Sequence, residues 1–139
     1  NTIVNYGVGV FKSQPTFYVS DQLELSDGSF IMDEVNLNFN NCIIWGLSEN
    51  EIVLENESDK NFNILTANNL LKTTDENLVG FDNIINQDPM FNSPYDFDYT
   101  LGEGSPAIDA GKDLGFILEK ALSRPSLKSN RRKHSTQQT

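Results

Sequence analysis

A chain of 139 residues is long enough for one domain with a real core, but only 37% of it is apolar and Asn is abundant, which argues against helices and for short strands between tight turns. The formal charge of −10 conceals two unlike parts: up to Leu118 there are four lysines against nineteen carboxylates, a body of about −15, and the rest carries six basic residues and one acid. So acidic a body repels phosphate backbones and anionic membranes, which excludes nucleic-acid binding by the folded part.

Four segments share an Asn or Asp, a variable residue and two aliphatic positions: Asn1-Thr2-Ile3-Val4, Asn41-Cys42-Ile43-Ile44, Asn68-Asn69-Leu70-Leu71 and Asp82-Asn83-Ile84-Ile85. Aligning Asn1, Asn41, Asn68 and Asp82 gives unequal steps. The longest contains Gln22 to Met32, two strand-like runs around Asp27-Gly28, a hairpin signal. With that hairpin treated as an excursion, the period falls to the high twenties, and the last, short step is a truncated turn.

Each period has room for three short strands. After Asn1 the apolar clusters are Ile3-Val4, Val8 to Phe11 and Phe17 to Val19; after Asn41 they are Ile43 to Trp45, Ile52 to Leu54 and Phe62 to Leu65. Three strands per turn with polar corners is the layout of a parallel β-helix, whose turns bury their inward faces only by stacking. Asn at matching corners favours left-handed backbone and is placed to form amide ladders between turns. Cys42, the lone cysteine, lies in an apolar run and reads as a buried thiol, so no internal disulfide forms.

Beyond the coils, Asp88-Pro89 marks a turn, with Met90 and Phe91 placed to plug the open end of the core. Gly104-Ser105-Pro106 makes a second turn, packed by Ala107, Ile108 and Ala110, where Asp109 is placed to accept backbone N–H bonds. Only Leu114 to Leu122 has a helical look, and the basic run that follows reads as a disordered tail.

Two stretches carry a family resemblance. Asn41-Cys42-Ile43-Ile44-Trp45-Gly46 resembles the coil motif of bacterial right-handed β-helix repeat proteins. Asp88-Pro89-Met90-Phe91, Asp98-Tyr99-Thr100-Leu101 and Gly104-Ser105-Pro106-Ala107-Ile108-Asp109-Ala110-Gly111 resemble their C-terminal end, of the kind labelled a choice-of-anchor domain. The resemblance implies an all-β fold, a right-handed parallel β-helix (a single-stranded solenoid) over residues 1–113, with a hairpin insertion near 22–32 and a closing cap near 86–111. It implies an exported or cell-surface protein; residues 114–139 depart from the family pattern.

Lyases of this shape need a basic residue beside acidic calcium ligands, and the body has no Arg and only scattered lysines. The adjacent acids Asp33-Glu34 and Asp75-Glu76 read as solvated loop pairs rather than a hydrolase dyad, and the sole histidine, His134, lies in the tail. The expected function is therefore a non-catalytic scaffold, with an extracellular polysaccharide or another extracellular ligand as the expected contact. The alternative is the C-terminal part of a polysaccharide lyase or glycoside hydrolase whose catalytic residues lie upstream. No cofactor is expected; if a cation binds, it is calcium on Asp88, Asp98 and Asp109. Tyr95, Phe97 and Tyr99 are the candidates for stacking on sugar rings, with alternation turning Phe97 and Tyr99 to one side. No apolar run suffices for a membrane span. Since the chain opens at Asn1 in strand-like sequence, it is expected to be a monomeric piece of a longer parent.

Overall fold

The computed structural model describes residues 1–7 and 14–113, and this part of the chain is all-β. The strands are β1 (Thr2–Asn5), β2 (Phe17–Ser20), β3 (Gln22–Glu24), β4 (Phe30–Met32), β5 (Val35–Asn40) and β6 (Ile43–Gly46). They continue with β7 (Ile52–Glu55), β8 (Phe62–Ala67), β9 (Leu70–Leu71), β10 (Ile84–Ile85), β11 (Phe91–Ser93) and β12 (Asp98–Leu101). Two single 3-10 turns, at Glu76–Leu78 and Pro94–Asp96, are the other regular elements. Among the described residues no helix is long and apolar enough to cross a membrane. The expected strand at Val8 to Phe11, the helix at Leu114 to Leu122 and the basic tail lie outside the described residues.

Three ladders of parallel strands run through the molecule. Strands β1, β6, β9 and β10 pair in that order, with Thr2 beside Ile43, Ile43 beside Leu70 and Leu70 beside Ile84. Strand β2 pairs with β7, and β5 with β8, again in parallel. A first pass of the chain therefore contributes β1, β2 and β5, and a second contributes β6, β7 and β8. Equivalent residues of the second and third passes are 27 apart, and the final step is 14. The pairing differs from the sequence alignment in the first pass: the Asn1 carbonyl accepts from the Ile43 N–H, and Asn1 stands one residue out of the column of Asn41, Asn68 and Asp82.

The extra length of the first pass falls in two places. One is the connection between β1 and β2; the other is the antiparallel β3–β4 hairpin, turned at Asp27-Gly28, where Gly28 has φ +80° and Leu25 and Ser29 close the backbone bonds. The third strand of the first pass is therefore β5, not the Phe17 to Val19 cluster. Its alternation of Val35, Leu37 and Phe39 inward with Asn36, Asn38 and Asn40 outward is the two-residue period of a sheet buried on one face.

Strand β6 is apolar throughout because its sheet is buried on both faces. Ile3, Ile44, Leu71 and Ile85 point inward to Phe17, Leu37, Phe39, Ile52, Leu54 and Ile64. Val4, Ile43, Trp45, Leu70 and Ile84 point outward and are covered by Phe91, Tyr99, Leu101 and Ala107 of the C-terminal segment. This corrects the expected plug at the open end. Met90 is exposed and Phe91 packs on the outer face, while Leu78, from the first 3-10 turn, fills the core where the third pass has no strand to follow β7 and β8. The C-terminal segment closes sideways, and Asn41 anchors it with a pair of bonds, accepting from the Lys112 N–H at 2.8 Å and donating to its carbonyl at 2.7 Å.

The corners follow from Asn chemistry. Asn41, Asn68 and Asp82 all have φ between +54° and +59°, the left-handed turn that brings each pass back to the four-stranded sheet. The amide ladder lies one residue later than the expected column. Asn69 accepts from Cys42 N–H at 2.8 Å and donates to Thr66 Oγ1, Asn83 Oδ1 and the Phe39 carbonyl. A second, exposed rung joins Asn63 to Asn36 at 2.9 Å. Cys42 is buried at the head of the inner ladder.

Two buried carboxylates tie the passes together. Glu51 accepts from the Ser48 N–H at 2.7 Å and the Thr16 N–H at 3.0 Å, and also bonds the Thr16 hydroxyl. Gly46 is required beside it, since a Cβ there would lie 2.2 Å from Glu51 Oε1 and 2.7 Å from the Asn5 carbonyl. Asp21 accepts from the N–H groups of Glu57 and Ser58 and from the Ser58 hydroxyl, and these bonds to its charged form hold its pKa below the ordinary aspartate value. A lowered folded-state pKa stabilises above the unfolded value, and this contribution fades as pH falls through the folded one. Asp21→Asn should therefore be less stable than the parent at neutral pH, with the gap narrowing in acid; urea unfolding at both pH values measures it, and a constant gap would refute the assignment.

Candidate functional site

The C-terminal segment is built as a brace for aromatic side chains. Asp88 accepts from the Met90 N–H at 2.8 Å across Pro89, leaving Met90 at φ +54° and turning Phe91 onto the sheet. The Ser105 hydroxyl donates to the Pro89 carbonyl at 2.6 Å, and the Gly102 N–H to the Met90 carbonyl at 2.7 Å. Strands β11 and β12 then pair antiparallel, with Phe91 beside Leu101 and Ser93 beside Asp98. The second 3-10 turn between them ends at Phe97 in left-handed backbone, φ +63°.

A cleft of about 350 Å³ opens where this hairpin meets the end of β1, lined by Val4, Asn5, Tyr6, Gly7, Pro94, Tyr95, Phe97 and Tyr99. Tyr6 is its centre. It stacks on Tyr99 with centroids 6.2 Å apart and 23° between planes, and meets Tyr95 edge-on at 5.5 Å and Phe91 at 6.3 Å. Burial among these rings, and then the charge of Asp88, pushes the Tyr6 phenol up to about 12, so it remains a neutral hydrogen-bonding group.

The structure thus brings Tyr95, Phe97 and Tyr99 together on one cleft, and adds Tyr6. Alternation is not what aligns Phe97 with Tyr99, because Phe97 precedes β12 and owes its direction to the left-handed turn. Phe97 is 80% exposed and Tyr95 is also exposed, while Tyr99 is half-buried. Trp45 and Phe91 lie beneath, in the outer cluster, and Lys72 crosses the Trp45 ring at 5.2 Å while donating to the Gly46 carbonyl. Tyr6 carried no local signal as a site residue, since it reaches the cleft only because β1 lies beside the folded-back segment.

The carboxylates do not come together in the same way. Asp88 is occupied at the Met90 turn; Asp98 accepts from the Thr100 N–H and hydroxyl, which lower its pKa; and Asp109 is an exposed residue whose left-handed backbone, φ +57°, forms the turn before Gly111. The turn uses Asp109's backbone, not its carboxylate. Among the described residues no three carboxylate, thiol or imidazole groups lie close enough to hold a metal ion. The adjacent acids have local roles as well: Asp33 accepts from the Glu34 N–H, Glu34 from Asn61, and Asp75 caps the first 3-10 turn through the Asn77 N–H.

The cleft offers flat rings and phenol hydroxyls, with no lysine or arginine among the described residues of its lining. No protein-family model matches the chain, and no curated protein or solved structure matches it either.

Proposed function

We propose that the chain is a run of right-handed parallel β-helix from an exported or cell-surface bacterial protein, a non-catalytic scaffold that holds a neutral glycan in its aromatic cleft. The observation that carries the binding role is the convergence of Tyr6, Tyr95, Phe97 and Tyr99 on one cleft of ligand-pocket size. Aromatic faces pack against the C–H faces of sugar rings, and the phenols and the Asn5 amide supply the hydrogen bonds that orient hydroxyls. The acidic body disfavours uronates and sulfated chains, so the glycan is neutral. Support for the scaffold role comes from the three parallel ladders and the 27-residue step, together with the motifs that resemble the β-helix repeat proteins.

Calorimetric titration of the full chain with a panel of neutral oligosaccharides tests the reading. Phe97→Ala should weaken the binding partner's affinity about tenfold, while the stability of so exposed a position should change by less than about 0.5 kcal/mol. Absence of binding across the panel, or affinity indifferent to Phe97, would sink it.

A further inference from the structure

The β3–β4 hairpin stands apart from the three parallel ladders, a two-stranded sheet that pairs with nothing else among the described residues. Its turn is firmly made: Asp27 accepts from both the N–H and the hydroxyl of Ser29, and Leu25 bonds Ser29 and Gly28. Its surface is not that of a solvated excursion. Leu23 and Ile31 face each other across the strands at 61% and 52% exposure, and Tyr18 on β2 is exposed beside them. Together with Val35 these side chains line a cleft of about 360 Å³ whose remaining walls include Asp21, Asp33 and Glu34 and, among the described residues, contain no lysine or arginine. From Tyr18 to Val35 the chain has five carboxylates and no basic residue.

Exposed apolar side chains held on a hairpin cost solubility unless a partner covers them, and their charge selects the partner. We infer that this hairpin cleft docks an extended segment of a partner protein that alternates basic with apolar residues. The strands' free edges offer main-chain N–H and C=O groups for strand addition, Leu23, Ile31 and Tyr18 receive the apolar side chains, and Asp33 and Glu34 receive the cations. The same hairpin of a second copy brings five like charges to this cleft, and an anionic lipid surface is repelled for the same reason. This site is independent of the aromatic cleft.

The test uses the full chain and a fluorescent short peptide alternating lysine with leucine, with a glutamate–leucine peptide as its counterpart, read by anisotropy. Saturable binding of the lysine peptide alone is expected. It should weaken about tenfold in Leu23→Ser/Ile31→Ser and again in Asp33→Asn/Glu34→Gln. An unchanged Trp45 near-ultraviolet signal verifies the fold of each variant. Equal binding of the glutamate peptide, no binding, or lysine-peptide binding indifferent to Leu23 and Ile31 would overturn the inference. So would sedimentation showing a self-associated parent that Leu23→Ser/Ile31→Ser makes monomeric, since the occupant would then be a second copy.

Discussion

Leu71→Ala is expected to lower the free energy of unfolding by about 4 kcal/mol, in the upper part of the range for buried leucine truncations. Leu71 is 0% exposed and lies on the inner face of the four-stranded sheet, paired with Ile44 on one side and Ile85 on the other. Leu78, Ile52 and Phe39 complete its surroundings, and the backbone ladders on both sides prevent the cavity from collapsing. The third pass has only β9 in regular pairing, with β10 stacked beside it as the last row, so Leu71 is also what Leu78 packs on where the core ends. Leu65, on the outward face of β8 and 66% exposed, supplies the comparison: Leu65→Ala should change stability by less than about 0.5 kcal/mol. Urea unfolding of the two variants at a common slope measures both, and equal losses would contradict the assigned core.

Asn69→Ala should cost about 3 kcal/mol, for a different reason. The side chain is 1% exposed and joins three stretches of chain: the Cys42 N–H, the Phe39 carbonyl and the Thr66 and Asn83 side chains. Truncation strands several of these groups where water does not reach, and a stranded buried donor or acceptor costs more than a bond contributes. Asn63→Ala removes the rung to Asn36 on the exposed face of the β5–β8 ladder, where solvent replaces the lost bond, and should cost less than about 1 kcal/mol. Denaturation midpoints separate the two. If Asn63 proved as costly as Asn69, the ladder would be stabilised by something other than burial.

The legible part of the fold is the part that short runs of residues decide. Asn41, Asn68 and Asp82 announce left-handed corners because Asn and Asp tolerate that backbone better than other side chains. Asp27-Gly28 announces a hairpin turn for the same kind of reason. Strand β5 is missed although its alternation of Val35, Leu37 and Phe39 with asparagines is local, because the apolar cluster at Phe17 to Val19 competes for the same place in the period. The candidate site was half legible. Tyr95, Phe97 and Tyr99 stand out by residue type and share one cleft, whereas Asp88, Asp98 and Asp109 stand out by density and do not meet.

By itself the sequence determined the all-β character and the corners. Turn preferences and pleat periodicity are properties of a few contiguous residues, so no distant contact was needed to set them. Only the tertiary structure decided that β1 pairs one residue out of the Asn column, that Leu78 rather than Met90 and Phe91 ends the core, and that the C-terminal segment lies against the outer face of the sheet. Those outcomes depend on the lengths of loops that carry no register of their own, and on which of two apolar faces is left to be covered. Strand β6, apolar at Ile43, Ile44 and Trp45 alike, offers both faces, and only Phe91, Tyr99 and Leu101 folding back beside it distinguish the inner from the outer.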